Sequence, residues 1–490
     1  MTGQRRGRRR LLTVWLPVAL AVAVLLPVGV LWWSSLLPAS ASVMDMGEAD
    51  YGSGAHAGHD HSTGTSLTTL VADPARPADV SVDLRADTAA LDLGGRTVPG
   101  FTVNGTSPGP TIRARQGQLV EVRFRNGSVP GGVTLHWHGM TVPNAMDGVA
   151  GVTQDALAPG QSFSYRFVAD RAGTYWYHSH QVSHEQVLGG LFGAVVVEPA
   201  DAGQPVPEAV AIAHTYAGTR TVNGRTGDLR VSAEPGDRLR VRVVNTDNAA
   251  LSVWAGQPVL LAAVDGTDVN RPAPVEDRVI TVAAGGRVDL LVTVPRDGAA
   301  RIQLSKATAV LVGPAEASAT EPPQPSARLD LLSYGAPADT GLDPSRANRR
   351  FAYVVTQQPG FVKGRPGVWW AINGRLYPNV PMFMVTSGDL VAMHIENRTS
   401  ESHPMHLHGH RLLVTARDGV PATGSPWWTD SFDVLPGQAF DVLFAADNPG
   451  IWMDHCHNLE HARDGMVAHL SYAGITTPFR LGGPSGNEPE

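Results

Sequence analysis

The sequence predicts an all-β protein made of three consecutive homologous Greek-key domains, and two observations carry this prediction. The 490 residues include 53 glycines and 37 prolines and only 17% are charged, which is typical of a turn-rich β protein. One strand unit occurs three times without gaps, and a second unit follows each copy. The net charge of −7 argues against a nucleic-acid partner, because proteins that bind nucleic acids carry a basic face.

The first repeated unit occupies residues 114–126, 233–245 and 385–397. Each copy has a glycine nine residues before an asparagine, and the residues between them alternate as in a half-buried strand. The second unit occupies residues 159–180 and 436–457, with a weaker copy at 284–305. We therefore predict sandwich or barrel domains, with one linker between the second and the third. The predicted domains span 79–199, 205–312 and 350–475, and the linker spans 313–349.

The N-terminal residues 1–42 read as an export signal or a membrane anchor. Arg8, Arg9 and Arg10 precede an uncharged apolar run at 11–33, which as a helix would extend roughly 35 Å. A small-x-small motif at 39–41 fits cleavage, so a cleaved signal and a retained anchor both stay open. Arg8 and Arg9, followed by Arg10, are also a weak match to a twin-arginine signal. We predict an extracytoplasmic protein, with the membrane as a partner if the helix is retained.

Residues 43–78 are predicted to form a disordered linker, because their sequence is of low complexity. The linker contains side chains that copper accepts as ligands, namely Met44, Met46, His56, His59 and His61. Two interpretations stay open, a loose copper-holding arm and a solvated linker that happens to carry histidines.

Four His-x-His pairs lie at corresponding points of the first and third domains. They are His136 and His138, His178 and His180, His406 and His408, and His455 and His457. Residues i and i+2 of a strand point to one face, so each pair offers two imidazoles together. The second domain has Gln303 and Ser305 in place of the last pair, so the fold does not require these histidines.

A thiol, two further imidazoles and a thioether form another set. Cys456 is the only cysteine, which excludes a disulfide within the chain and a Cys₂His₂ zinc site. Together with His403, His461 and Met466 it supplies the ligands of a blue-copper centre. The eight paired imidazoles suit three more coppers. Cys456 points away from the face of His455 and His457, so we expect the two centres to lie on the order of 10 Å apart.

The motifs HWHG, YHSHQ, HPMHLHGH and HCHNLEHARDGM together resemble those of a three-domain multicopper oxidase of the laccase type, over about residues 80–475. The resemblance implies three cupredoxin-like domains and four coppers per chain. It also implies that four one-electron oxidations are coupled to the reduction of O₂ to two waters. By motif position it assigns His403, Cys456, His461 and Met466 to type 1 copper, His136 and His406 to type 2, and His138, His178, His457, His180, His408 and His455 to the type 3 pair.

Two carboxylate positions bear on proton delivery. Asp147 matches the acidic residue of the family near the cluster and is a candidate proton relay, while a turn-capping role stays open. Some bacterial members have a glutamate after the second type 1 histidine, where this chain has Ala462. The second proton route is therefore in doubt, with Glu460 and Asp464 as nearby substitutes.

The reducing substrate stays open among three hypotheses. A laccase-like oxidase would take phenols or aromatic amines, and a metallo-oxidase would take Cu(I) or another metal ion in copper tolerance. A non-enzymatic copper-binding protein is the third, although all twelve predicted ligands are present. Met382, Met384 and His469 are interpreted as ordinary residues rather than ligands.

Overall fold

The computed structural model describes residues 4–53, 64–201, 206–306 and 308–490. The apolar N-terminal run lies in helix α1 (Gln4–Ser34), and two short helices follow, α2 (Ser183–Gln186) and α3 (Leu459–Arg463). Single 3-10 turns occur at Val43–Asp45, Leu67–Thr69, Asn144–Met146 and Pro344–Arg346. None of the helices among the described residues has both the length and the apolar character needed to cross a bilayer.

Three short strands come before the first large sheet. They are β1 (Ser40–Ala41), β2 (Glu48–Asp50) and β3 (Thr65–Ser66). The next eight strands form two four-stranded sheets. They are β4 (Val80–Asp92), β5 (Thr97–Val103), β6 (Ile112–Arg115), β7 (Leu119–Asn126), β8 (His136–His138), β9 (Ser162–Val168), β10 (Gly173–His178) and β11 (Phe192–Glu198). The sheet orders are β5-β4-β7-β9 and β6-β11-β10-β8, and a buried apolar cluster packs between them.

A second group of strands forms a seven-stranded and a five-stranded sheet. They are β12 (Glu208–Tyr216), β13 (Thr219–Val222), β14 (Leu229–Ser232), β15 (Arg238–Asn245), β16 (Leu251–Ala255), β17 (Val259–Val264), β18 (Thr267–Asp268), β19 (Pro274–Val275), β20 (Ile280–Val282), β21 (Arg287–Thr293), β22 (Ala300–Leu304) and β23 (Thr308–Gly313). The orders are β13-β12-β15-β21-β17-β18, with β19 beside β17, and β14-β23-β22-β16-β20.

The third group forms an eight-stranded and a six-stranded sheet. It comprises β24 (Arg349–Val362), β25 (Arg365–Ile372), β26 (Arg375–Leu376), β27 (Pro381–Val385), β28 (Leu390–Asn397), β29 (His403–Leu407), β30 (Leu412–Arg417), β31 (Val420–Pro421), β32 (Trp427–Thr429), β33 (Ser431–Val434), β34 (Ala439–Ala445), β35 (Ile451–Cys456) and β36 (Val467–Tyr472). The six-stranded order is β2-β27-β36-β35-β29-β33. Two short strands follow, β37 (Ile475–Thr476) and β38 (Leu481–Gly482).

The described parts of the segment predicted as a disordered linker differ from that prediction. Strand β2 extends the six-stranded sheet by pairing with β27, and β3 pairs with β37. The two sheets formed by each group of strands are called a sheet pair. Val43, Met46 and Leu67 are buried in the core of the third sheet pair, which explains why these stretches are ordered. Of the ligand candidates in this segment, His56, His59 and His61 lie outside the described residues.

The sheets bring the histidine motifs together through strand pairing. Between β8 and β10, His136 lies opposite His178. Between β29 and β35, His406 lies opposite His455 and Met405 lies opposite Cys456. Because side chains alternate along a strand, each ladder holds its histidines on one face. Strand pairing thereby fixes the positions of the histidines that the first and the third domain contribute to the candidate centre.

Candidate metal centre

Eight buried histidines from the first and third sheet pairs meet at one interface. The ring centroids of His138 and His406 are 3.8 Å apart, and those of His136 and His408 are 3.7 Å apart, so the two groups interleave. All eight side chains are at most about 1% exposed. They are His136, His138, His178, His180, His406, His408, His455 and His457, the same eight that the His-x-His pattern singles out.

One ring nitrogen of most of these histidines is held by protein, and the other has no partner. The Nδ1 atoms of His136, His178 and His180 lie within hydrogen-bond distance of backbone carbonyl oxygens, while their Nε2 atoms are buried without a partner among the described residues. His406 shows the same arrangement. His138 is reversed, because its Nε2 contacts Asp430 and its Nδ1 has no partner. Buried unpartnered nitrogens are costly unless a metal ion satisfies them, so this set fits copper.

The ligand atoms form compact groups that agree with part of the predicted sets. His180, His408 and His455 form a group in which all three ligand atoms lie within 4.8 Å of one another. His138 and His178 form such a group with His136, rather than with the predicted His457. The ring of His457 is nonetheless 4.9 Å from that of His138. A third group joins His136, His406 and His408.

Burial keeps seven of these imidazoles neutral, which is the form that binds metal ions. Desolvation lowers the pKa of His138, His178 and His180 well below its usual value, and neighbouring imidazoles lower it further. The pKa values of His406, His408 and His455 are lowered in the same way, and that of His457 falls to about 3. A cluster of neutral donors is therefore ready to accept cations.

Three ligands of the predicted type 1 set, His403, Cys456 and His461, also lie close together, on the face of β35 opposite to the cluster. The Cys456 Sγ lies 3.8 Å from His403 Nδ1 and 3.7 Å from His461 Nδ1, and the two nitrogens are 3.2 Å apart. The outer nitrogens are occupied, since Thr399 Oγ1 lies 2.8 Å from His403 Nε2 and Asn458 Nδ2 lies 3.1 Å from His461 Nε2. Three ligand atoms thus face one point.

The fourth predicted ligand of this set is Met466, and the protonation of the Cys456 thiol also depends on the site. Met466 is fully buried, and Cys456 donates its backbone N–H to the Met466 carbonyl at 3.2 Å. Burial raises the pKa of the Cys456 thiol well above its usual range, so the thiolate needs a cation beside it. The donor set of one thiolate, two imidazoles and a thioether fits copper.

Asp147 is fully buried between two histidines of the cluster. One of its carboxylate oxygens lies 3.0 Å from His408 Nδ1, and the other lies 3.1 Å from His136 Nδ1 without a hydrogen bond. The backbone N–H of Asp147 caps the 3-10 turn Asn144–Met146, which agrees with the turn-capping alternative. The carboxylate itself faces the histidines.

An ion pair between the second and third sheet pairs supports the cluster, and sequence patterns did not indicate it. Arg287 contacts both carboxylate oxygens of Asp430, at 2.5 and 2.7 Å. Asp430 in turn lies 3.1 Å from His138 Nε2, and its backbone carbonyl lies 2.7 Å from His406 Nδ1. Both members of the pair are buried. The second domain therefore contributes through Arg287 although it contains none of the predicted ligands.

A third carboxylate, after those of Asp147 and Asp430, reaches the cluster from residues 481–490. Glu490 Oε1 lies 3.5 Å from His455 Nδ1 and 3.7 Å from His180 Nε2. Ser183 donates to its other oxygen at 2.6 Å, and the Pro489 carbonyl lies 3.1 Å from His180 Nδ1. Neither Glu460 nor Asp464, the substitutes considered from the sequence, has a contact of this kind among the described residues. The segment lies outside all repeats, so no sequence signal pointed to it.

A cavity of about 650 Å³ opens beside the thiolate set, between the second and third sheet pairs. Its lining includes His461 and Glu401, and Glu401 Oε2 lies 3.3 Å from His461 Nε2. Leu329, Leu331 and Trp427 supply apolar wall. Among the described residues that line this cavity there is no methionine.

Comparisons with known proteins agree with this geometry. Two family models, both described as multicopper oxidase, match residues 86–202 and 347–473. The chain belongs to the multicopper oxidase family. As a multicopper oxidase it is a copper-dependent oxidoreductase that uses O₂ and binds four coppers, of types 1, 2 and 3. The fold class predicted from the sequence, cupredoxin-like all-β, is confirmed.

Several multicopper oxidases resemble this one along most of its length. The multicopper oxidase MmcO of Mycobacterium tuberculosis is 29% identical, covering 84% of this chain and 91% of its own. Laccase-1 of Botryotinia fuckeliana is 27% identical, covering 77% and 79%. The crystal structure of a multicopper oxidase from Pseudomonas thermotolerans superposes with a TM-score of 0.67 at 26% identity, covering 80% of this chain and 99% of that one.

Proposed function

We propose that this multicopper oxidase takes its electrons from phenols or aromatic amines beside His461 and reduces O₂ at the eight-histidine cluster. The proposed type 1 ligands are His403, Cys456, His461 and Met466. The proposed type 2 ligands are His136 and His406, and the proposed type 3 ligands are His138, His178 and His457 for one copper and His180, His408 and His455 for the other. The converging ligand atoms and unpartnered ring nitrogens support this assignment.

When bound, the type 1 copper supplies one-electron oxidation and the cluster supplies the four-electron reduction of O₂ to water. The chain's own contribution is positional. Cys456 is bonded on either side to His455 and His457, so one short covalent path joins the two centres. Backbone carbonyls fix the rings of His178 and His455 by accepting from Nδ1.

The proposal of phenols or aromatic amines as substrates rests on the cavity beside His461. Its volume lies within the range of about 300–1,000 Å³ that suits a small organic molecule, and its wall combines apolar side chains with polar and charged ones. Glu401 lies against the outer nitrogen of His461, where its carboxylate can accept the hydroxyl proton of a phenol. Cu(I) prefers thioether and thiolate ligands, which this wall lacks among the described residues. A harder metal ion held by the carboxylates of Glu401 and Asp433, which both line the cavity, is the alternative substrate.

Oxygen uptake by the copper-loaded chain tests the proposal when a phenol, Fe(II) and Cu(I) are compared side by side. We expect the phenol to be oxidised fastest. Glu401→Gln should lower kcat/KM for the phenol about tenfold, because a charged hydrogen-bond acceptor is lost. Glu396→Gln is the control, since Glu396 pairs with Arg398 away from the cavity. Faster uptake with either metal ion, or an unaltered Glu401→Gln variant, would contradict the phenol assignment.

We also propose that Asp147 relays protons to the cluster. The Asp147→Asn variant keeps an acceptor for His408 Nδ1 but cannot carry a proton, so we expect turnover to fall about 100-fold with four coppers still bound. Copper analysis and oxygen uptake measure the two quantities. If Asp147→Asn retains full turnover while Asp147→Ala loses copper, the residue only orients His408.

Export to an extracytoplasmic compartment completes the proposal. Its support is the run of arginines followed by an apolar stretch in α1. Fractionation of cells that express the full chain, with N-terminal sequencing of the product, distinguishes a cleaved signal from a retained segment. Recovery of uncleaved chain in the cytoplasmic fraction would contradict export.

A further inference from the structure

We propose that Met382, His469 and Met453 form a binding site for cuprous ion, from which copper passes to the eight-histidine cluster. The site is distinct from the twelve predicted copper ligands and from the cavity beside His461. It goes beyond the proposed function, because it concerns the supply of copper to the protein and does not depend on which substrate is oxidised.

Strand register places the three side chains in a row. His469 on β36 lies opposite Met382 on β27 and opposite Met453 on β35. Directly paired residues project from the same face of a sheet, and neighbouring strands lie about 4.8 Å apart. The order across the sheet is therefore thioether, imidazole, thioether. Met453 also shares its face with His455, two residues further along β35, so the row adjoins the cluster.

The imidazole at the centre of the row has one buried ring nitrogen without a hydrogen-bond partner among the described residues. His469 is only 6% exposed, and its Nε2 is buried without a partner among the described residues. An unpaired buried nitrogen costs free energy that a bound cation would offset. Met382 and Met453 are also buried, at 6% and 1% exposure. Desolvation lowers the pKa of His469 to about 4, which leaves the ring neutral and able to bind.

A cavity of about 410 Å³ gives this row an entrance and an exit. His469 and Met453 line it, and Met46 adds a second thioether to its wall. Lys363 and Glu488, both partly exposed, line it as well, so the cavity reaches solvent. Glu490 is also part of the wall, and its carboxylate contacts His180 and His455 of the cluster. An ion in the cavity thus lies between solvent and the type 3 histidines.

The donor chemistry selects the ion. Thioether sulfur and imidazole nitrogen are soft and borderline ligands that favour Cu(I) over the hard ions Mg²⁺ and Ca²⁺. No thiolate or carboxylate belongs to the row, so a singly charged cation needs less charge compensation than a divalent one. A core packing role alone would not require the unpartnered imidazole between two methionines.

The test uses the full chain with its four coppers bound, reduced and kept anaerobic. Cu(I) is titrated against bathocuproine disulfonate, and we expect a fifth equivalent to bind. Met453→Leu and His469→Leu should weaken this fifth ion at least tenfold. Met393→Leu is the matched control, because Met393 is equally buried but lies in the other sheet of the third pair. Leucine conserves the volume of methionine, so packing changes little.

A second measurement follows loading of the copper-free chain by limiting Cu(I), read as the growth of oxygen uptake, which requires copper in the cluster. Met453→Leu and His469→Leu should load about tenfold more slowly and reach the same final rate of uptake, which also shows that they fold. A chain that binds no fifth Cu(I) would overturn the proposal. So would variants that bind it and load as fast as the unaltered chain.

Discussion

A Cys456→Ser variant is expected to be colourless and to have no detectable oxygen uptake, while it retains three of four coppers. The thiolate is the donor that gives a blue site its character, and Cys456 is the only cysteine. It also lies between His455 and His457 on the path that joins the centres. Visible absorption, copper analysis and oxygen uptake check the three parts.

Ser179→Ala is the matched control for this variant. Ser179 occupies the position in the first domain that corresponds to Cys456, and its hydroxyl donates to Gln186 at 2.6 Å. We expect it to keep the blue absorption. A Cys456→Ser protein that remains blue would refute the type 1 assignment.

An Arg287→Met variant is expected to lose about 3–5 kcal/mol in free energy of unfolding and part of its cluster copper. The substitution leaves the buried carboxylate of Asp430 without its cationic partner, which is far costlier than losing an exposed pair. Asp265, whose pKa burial already raises to about 7, loses the same neighbour at 3.4 Å. Because Asp430 contacts His138, the disturbance reaches the ligands.

Urea unfolding and copper analysis measure this loss. The control is Arg123→Met, since Arg123 pairs with Asp83 on the surface and should change stability little. Equal effects of the two substitutions would show that the Arg287–Asp430 pair does not support the centre.

The eight histidines that the structure brings together could be singled out from the sequence, because internal repeats compare one domain with another. The four His-x-His pairs stand out against Gln303 and Ser305 of the second domain, and strand alternation then places them on shared faces. The predicted domain boundaries stay a prediction. Each pair of sheets lies within the bounds of one predicted domain, apart from β2, Gly313 at the end of β23 and Arg349 at the start of β24.

Residues that support the cluster through contacts between domains, or from segments without repeats, could not be found in this way. Arg287 and Asp430 are separated by 143 residues and meet only when the second and third domains pack together. Glu490 and Glu401 occur in segments without periodicity. The linker prediction was wrong for residues 43–53 because composition alone does not reveal that a three-residue strand adds to a sheet edge.

The pairing of β29 with β35 has a consequence for how the protein can fail. His406 opposite His455 and Met405 opposite Cys456 alternate, so the two centres use opposite faces of one ladder. A slip of one residue would turn every side chain of a strand to the other face. Such a misfolded form would present Cys456 to the cluster and His455 to the thiolate set, and it would lose both centres at once. The two centres therefore depend on one strand register, so neither forms correctly in a chain in which this ladder has slipped.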